Sequence, residues 1–98
     1  MRYEIVLAPD AVEDLRRLEA SERAEVRDAI ERHLRHEPTQ TSRARIKRLR
    51  GLRKPQFRLR VGDQIRVFYD VTSTAVEVLA IIAKRDVDDW LEREGVPE

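Results

Sequence analysis

The chain has 98 residues, of which 41% are hydrophobic and 40% are charged, and its formal net charge is +1 at pH 7. This composition predicts one soluble globular domain over residues 1–98, with a single modest core. The absence of cysteine excludes disulfides, a thiolate nucleophile and a cysteine-based zinc site. No apolar run approaches the ~20 residues that cross a membrane, and no signal-peptide pattern is present, so we expect a cytoplasmic protein.

The first part of the chain predicts a strand followed by two helices. Residues 2–8 are short and rich in β-formers, which is typical of a strand. Asp10, with Glu13 three residues later, predicts the N-cap and capping box of a first helix. Ser21 predicts the N-cap of a second helix that ends near Pro38. Apolar residues recur at helical spacing in both, so the two helices should form an antiparallel hairpin.

An acid-free segment, residues 38–62, separates these helices from the rest of the chain. It holds nine Lys and Arg and no Asp or Glu, whereas the formal charge is −3 over residues 1–37 and −5 over residues 63–98. This separation creates a local positive field that attracts polyanions although the whole protein is nearly neutral. Residues 39–54 are predicted to be a partly ordered connection.

Three strands and a short helix are predicted in the second half. The strands cover residues 56–61, 64–71 and 75–83. Gly62-Asp63 and residues 72–74 are the turns of this antiparallel meander. Asp86 is expected to cap a last short helix. The order β-α-α-β-β-β-α indicates an α+β fold with a central antiparallel sheet, the helical hairpin on one face, and a short C-terminal helix.

Alternation along the strands predicts which side chains share a face. The aliphatic set should pack on the helices, which leaves arginines on the opposite face around Phe68 and Ile81. These arginines are Arg58, Arg60, Arg66 and Arg85. Like charges repel each other unless an anion binds between them, and guanidinium matches phosphate bidentately, so we predict a phosphate-binding surface. The alternative is that these arginines are solvated or paired with Asp63, Asp70 and Glu77.

Several motifs together give the chain a family resemblance. They are YEIVLAPDAVEDLRRL (3–18), KRLRG (47–51), FRLRVGDQIRVFYDV (57–71) and VLAIIAKRDV (78–87). In this order and spacing they resemble the RelE/ParE superfamily of toxins from type II toxin–antitoxin systems, over essentially the whole chain. The resemblance implies a RelE-like fold and a RelE-like activity, namely metal-independent cleavage of messenger RNA in the ribosomal decoding site, with no cofactor.

The resemblance also implies roles for individual residues. Arg66 and Arg85 match arginines that stabilise the transition state, so we assign them as catalytic. The RNA-binding residues are Arg58, Arg60, Lys84, Lys54 and Lys47. RNA cleavage by its own 2′-hydroxyl needs stabilisation of a more negative phosphorane together with an acid and a base. Arginine serves the first need well and the others poorly, because its pKa is above ~12.

The chain departs from the RelE-like pattern in its proton-transfer group. No tyrosine follows Tyr69, and parity assigns Tyr69 to the core. Trp90 is the nearest aromatic, and we expect it to clamp the last helix onto the sheet. Asp86 and its neighbours Asp88 and Asp89 are candidate bases, although helix capping also explains Asp86. Ribosomal groups and water are the other source of proton transfer.

Two further aspects of the sequence bear on the site. Ile65 stands where the family commonly has an aromatic residue. His33 and His36 are spaced to reach one metal, but two ligands without a supporting cluster predict a helix-surface role and no metal site.

Two other functions remain open. One is a ParE-like toxin that traps DNA gyrase without cutting nucleic acid itself, which the missing tyrosine favours. The other is a degenerate member that has lost toxicity. All three imply a RelB-like antitoxin partner, and the basic face predicts acidic residues in the antitoxin segment that contacts it. The leading hypothesis adds the ribosome and mRNA as partners, and no membrane.

Overall fold

The computed structural model describes residues 1–98 and contains seven strands and three α-helices. In chain order they are β1 (Glu4–Leu7), α1 (Pro9–Arg17), α2 (Ala20–Leu34), β2 (Ile46–Arg48), β3 (Leu52–Lys54), β4 (Phe57–Val61), β5 (Ile65–Val71), β6 (Ala75–Ala83), α3 (Val87–Glu94) and β7 (Val96–Pro97). A 3₁₀ turn, Lys84–Asp86, joins β6 to α3. None of the helices has the length and apolar character that crossing a bilayer requires. The predicted α+β class is confirmed.

The main sheet has five strands in the order β1-β6-β5-β4-β2. The predicted meander of β4, β5 and β6 is present with the expected turns, and its pairs are antiparallel. At one edge β2 adds an antiparallel pair with β4. At the other edge β1 runs parallel to β6, from which the two helices and strands β2 to β5 separate it along the chain. The central sheet is thus antiparallel except at this edge.

One apolar core lies between the sheet and the first two helices. Helix α1 contributes Ala11 and Leu15, and α2 contributes Val26, Ile30 and Leu34. The sheet contributes Ile46, Phe57, Leu59, Val61, Ile65, Val67, Tyr69, Val76, Val78 and Ile81. The alternation predicted for β4 is confirmed, because its apolar residues are buried in this core while the arginines between them are not.

A β-bulge in β6 changes which residues share the arginine face. Phe68 pairs with Ala80 and Tyr69 pairs with Val78, so Leu79 is the extra residue. An extra residue reverses the side-chain alternation beyond it. Ile81 is consequently buried in the core. Because Ile82 pairs with Arg66, Ile82 lies on the face where Ile81 was expected, and the placement of Ile81 beside the arginines is wrong.

The segment predicted to be a connection contains two short strands. Residues 46–48 form the edge strand β2, and residues 52–54 form β3, which pairs with β7 at the C-terminus. Each has three residues or fewer, too short for a period-two pattern to stand out among the surrounding Lys and Arg.

The helix starts also differ from the sequence prediction. Helix α1 has Ala8 as its N-cap and Pro9 at its first position, so Asp10 lies inside the first turn. Proline is favoured there because its φ is already helical and it has no N–H to leave unpaired. Helix α2 has Glu19 as its N-cap, whose N–H donates to the Glu22 carboxylate at 3.3 Å. Asp86 is the N-cap of α3 as predicted, but its side chain makes no capping hydrogen bond.

We predict that Tyr69→Phe destabilises the fold. Tyr69 is fully buried, which confirms its predicted place in the core, and its hydroxyl donates to the Pro38 carbonyl at 2.7 Å. Its removal leaves that carbonyl without this donor, so the free energy of unfolding should fall by about 1–3 kcal/mol. Urea unfolding measures the change. Tyr3→Phe is the matched control, and an equal loss in both variants would contradict the prediction.

Candidate nucleic-acid interface

Three arginines from two adjacent strands converge on the sheet face away from the core; we call Arg58, Arg60 and Arg66 the arginine cluster. Arg60 of β4 lies directly opposite Arg66 of β5, and Arg58 lies opposite Phe68 in the next row on the same face. Directly opposed residues have Cβ atoms about 4.5–5.5 Å apart, so these side chains share one small area.

Arg66 is held rigidly by the turn that precedes its own strand. Its side chain is buried, and its Nη1 donates to the carbonyls of Ile65 at 3.0 Å and Asp63 at 3.2 Å. Gly62 begins this turn with φ +59°, a conformation that L side chains rarely adopt. Burial, and then the charge of Arg60, lower the pKa of Arg66, while Asp63 opposes the shift. A fixed, partly dehydrated cation results.

Arg58 carries the least satisfied polar atom of the protein. Its Nε is buried and has no hydrogen-bond partner. Burial, followed by the charges of Arg66 and Arg60, lowers the pKa of Arg58. A buried donor without a partner is rare in folded proteins and calls for an explanation. A bound anion would supply the missing negative charge, and it would supply the missing acceptor once the Arg58 side chain turns toward it.

Within the arginine cluster, only Arg60 is paired with a carboxylate. Its Nη2 lies 2.6 Å from Asp63 Oδ1, and its Nε donates to the Gly62 carbonyl at 3.0 Å. This pair is at the exposed rim, where an ion pair contributes little. Of the alternative in which the arginines are solvated or paired with Asp63, Asp70 and Glu77, pairing therefore holds for Arg60 alone, and solvation holds for the exposed Arg85.

The lysines predicted to bind RNA lie in three different settings. Lys47 of β2 is exposed directly opposite Arg58, so it extends the arginine cluster toward the sheet edge. Lys54 instead lies 3.7 Å from Asp70 and 3.5 Å from Glu77, the two acids that pair across β5 and β6. Lys84 is exposed in the 3₁₀ turn.

Arg85 stands apart from the other three arginines. It lies in the exposed 3₁₀ turn, and its Nε is 4.0 Å from Asp86 Oδ2. The turn begins at the end of the sheet where Ala83 pairs with Ile65, which is also the end that carries Arg66. The structure thus brings Arg58, Arg60 and Arg66 together and leaves Arg85 on a neighbouring surface turn.

The apolar side chain of Phe68, expected to be exposed among the arginines, is covered by helix α3. Phe68 is fully buried, and the Trp90 ring of α3 stacks on it with centroids 4.8 Å apart and planes at 21°. Trp90 clamps α3 onto the sheet, as predicted. Because Phe68 is in the same row as Arg58, α3 borders the arginine cluster directly.

Sequence reasoning identified the arginines but missed the groups that position them. The carbonyls of Gly62, Asp63 and Ile65 anchor Arg60 and Arg66, and a glycine before an aspartate indicates only that a turn is present. Tyr69 is removed from the site altogether, because its hydroxyl faces Pro38, and burial raises its pKa.

Comparison with known proteins gives a match in fold. No protein-family model and no curated protein matches the chain. A chain of the toxin–antitoxin complex RelBE2 from Mycobacterium tuberculosis is 24% identical with a TM-score of 0.70, and the match covers 86% of this chain and 100% of that one. A chain of the RelB–RelE complex from Methanococcus jannaschii is 19% identical with a TM-score of 0.67, and the match covers 87% of this chain and 96% of that one. A chain of the DinJ–YafQ complex from E. coli is 12% identical with a TM-score of 0.64, and the match covers 89% of this chain and 98% of that one.

The chain has the RelE-like toxin fold. The fold expectation that the sequence motifs raised is thereby confirmed over most of the chain. In this fold the arginine cluster lies on strands β4 and β5, within the meander that the sequence identified.

We predict that Arg58→Met stabilises the isolated protein. The substitution keeps an unbranched stem and removes a charge that faces two others, so the free energy of unfolding should rise by roughly 0.2–1 kcal/mol. Urea unfolding at low salt measures the change. Added sulfate should reduce the difference in free energy of unfolding between variant and wild type, because sulfate binds the arginine cluster of the wild type. Arg17→Met, on an exposed helix position, is the control. A variant less stable than both wild type and this control would contradict the prediction.

Proposed function

We propose that this chain is the toxin of a toxin–antitoxin system and that it inhibits translation as a RelE-like, ribosome-dependent mRNA endonuclease. The observation that carries the proposal is the arginine cluster, in which a buried Arg58 Nε has no partner and only Arg60 has a counter-ion. An RNA phosphate supplies the missing counter-charge, and it accepts from Arg58 Nε once that side chain turns toward it. The fold shared with chains of toxin–antitoxin complexes supports the assignment.

In this mechanism the arginines bind and stabilise the scissile phosphate. Arg58 and Arg60 hold the RNA backbone, with Lys47 and Lys84 at the periphery, and Lys54 joins them if it leaves its carboxylates. Arg66 stabilises the phosphorane. Its Nη1 is fixed by backbone carbonyls, so the charge is in place before the reaction and needs no reorganisation. Arg85 approaches from the neighbouring turn to share the developing negative charge.

Proton transfer does not come from a tyrosine of this chain in our proposal. The Tyr69 hydroxyl is buried against Pro38, and no other tyrosine lies beyond it in the sequence. Arginine remains protonated at working pH and exchanges protons poorly. We assign the acid and the base to ribosomal groups and ordered water, which makes the activity dependent on the ribosome.

The proposed partner that silences the toxin is a RelB-like antitoxin in the cytoplasm. Its contacting segment should be acidic, because an anionic side chain can occupy the arginine cluster as a phosphate would. Bound antitoxin and bound RNA would then exclude each other.

We predict that Arg66→Gln strongly slows mRNA cleavage. In a translation system with purified ribosomes, the rate of appearance of new transcript ends should fall by about 10²–10³, the loss typical of removing one preorganised transition-state donor. Arg66→Lys keeps the charge but loses the planar fork, so it should restore only part of the rate. Arg27→Gln, an exposed change on α2, is the control. Cleavage by Arg66→Gln at the control rate would refute the assignment.

A second candidate function is inhibition of DNA gyrase, favoured by the lack of an accessible tyrosine near the arginines. Incubation of the chain with gyrase and plasmid distinguishes the two. Linear DNA that accumulates only when both proteins are present would support the gyrase inhibitor, and intact plasmid together with new mRNA ends would support the nuclease. Expression with no growth defect at all would indicate a non-toxic member.

A further inference from the structure

A second set of cations lies beyond the arginine cluster, and three of them, Lys47, Arg48 and Arg50, line the outer edge of β2. Apart from Arg58 of the arginine cluster, six Lys and Arg of the acid-free segment form no salt bridge with any carboxylate; they are Arg43, Arg45, Lys47, Arg48, Arg50 and Arg53. A groove of about 550 Å³ follows this edge and is lined mainly by Thr41, Ser42, Lys47, Arg48, Leu49 and Arg50. We call it the β2 groove. Its charge is balanced by no group of the protein.

The backbone of β2 also presents a free donor to this groove. The Arg45 carbonyl accepts from the Arg60 N–H at 2.8 Å, and the Leu49 N–H donates to the Gln56 carbonyl at 2.9 Å. The backbone N–H and C=O groups of odd-numbered residues along this stretch therefore point toward β4. In an antiparallel pair the intervening residues then point outward. The outward groups of Ile46 are bonded to Ser42, whereas Arg48, which lines the groove, has no such backbone partner. Such an unpaired edge N–H can bind an anion.

The Arg48 guanidinium is fixed in position before any ligand arrives. Its Nη1 donates to the Gln56 carbonyl at 2.7 Å, and its Cζ lies 5.3 Å from the centroid of the Phe57 ring. A cation held over an aromatic face and bonded on one side loses little further freedom on binding. Arg50, next but one in the chain, is exposed and adds a second charge to the same wall.

The lining of the β2 groove favours a phosphate backbone over a protein partner. Protein interfaces have an apolar centre depleted of charge. Here the wall is made of guanidinium, ammonium and hydroxyl groups, and of its two apolar residues Ile46 is buried in the core. Arg, Lys, Ser and Thr side chains with backbone N–H groups are the usual phosphate contacts in nucleic-acid complexes.

We propose that the β2 groove is a second phosphate-binding site, which holds the single strand of RNA that continues from the arginine cluster. Lys47 joins the two sites, because it lines the groove and lies directly opposite Arg58. The inference rests on the proposed function in taking RNA as the ligand. It deepens that function because a longer stretch of the RNA strand would contact the protein. Flanking nucleotides of the message, and not only the cleaved phosphate, then contribute to affinity.

The test is binding of fluorescently labelled single-stranded RNA to the full chain over a series of salt concentrations. Each phosphate contact to a single strand contributes about 0.7 to the slope of log K against log salt. We expect Arg48→Gln/Arg50→Gln to reduce the magnitude of that slope by about 1.4 for a long oligonucleotide. A trinucleotide, too short to leave the arginine cluster, should bind the variant and the wild type equally.

Two controls keep this test decisive. Arg17→Gln/Arg27→Gln removes the same charge from exposed helix positions and should keep the wild-type slope. Because Arg48 contacts Gln56 and Phe57, Arg50→Gln alone is the variant that leaves the fold untouched, with an expected slope change of about 0.7. A double variant that matches the helix control on long RNA, or that loses antitoxin affinity while RNA binding persists, would overturn the proposal.

Failure of the proposed function gives a different result from failure of this inference. A reduced slope in the double variant with no ribosomal cleavage by wild type would support the β2 groove and reject the nuclease. Cleavage that requires Arg66, together with control-like RNA binding by the double variant, would support the nuclease and reject the groove. A duplex RNA bound as tightly as the single strand, with the same variant effect, would also overturn the single-strand assignment.

Discussion

Burial of Phe57, Leu59 and Val61 on β4 is the constraint from which the arginine cluster follows. A strand with these residues in the core must present Arg58 and Arg60 on its other face. Burying each large apolar side chain stabilises the fold by about 1.5–3 kcal/mol. A like-charge pair across a sheet opposes it by only roughly 0.2–1 kcal/mol. The core therefore holds the guanidinium groups together against their repulsion, and the arginine cluster is a by-product of packing on the reverse side of the sheet.

Alternation made the meander and its faces predictable, and it failed where the chain gives no local signal. The residues around Leu79 are apolar on both sides, so nothing in the sequence marks which one is the extra residue of the bulge. That single residue moved Ile81 from the arginine face to the core. The strands β2, β3 and β7 are defined by long-range pairing and not by a pattern of their own, which is why residues 39–54 read as a connection.

The candidate site shows a similar division between what is local and what is not. Arg58, Arg60 and Arg66 could be assigned to one face because their strands are joined by a tight turn. The setting of Lys54 could not be predicted, because Lys54 lies outside the meander in the sequence. Its partners Asp70 and Glu77 lie at the end of β5 and the start of β6, away from the turn between β4 and β5. These two acids are paired across β5 and β6, so their negative charges repel each other, and the Lys54 ammonium offsets this repulsion. The sequence does not show the strand register that makes them neighbours.

The stacking of Trp90 on Phe68 gives this face an optical reporter of its own. Trp90 is the single tryptophan of the chain, so intrinsic emission comes from one known position. That position borders the row that contains Arg58. We expect an oligonucleotide or a partner that binds at the guanidinium groups to change the polarity and quenching around the indole. Occupancy of the face can then be followed without attaching a dye, and the signal is specific to the side of the sheet where the chemistry is expected.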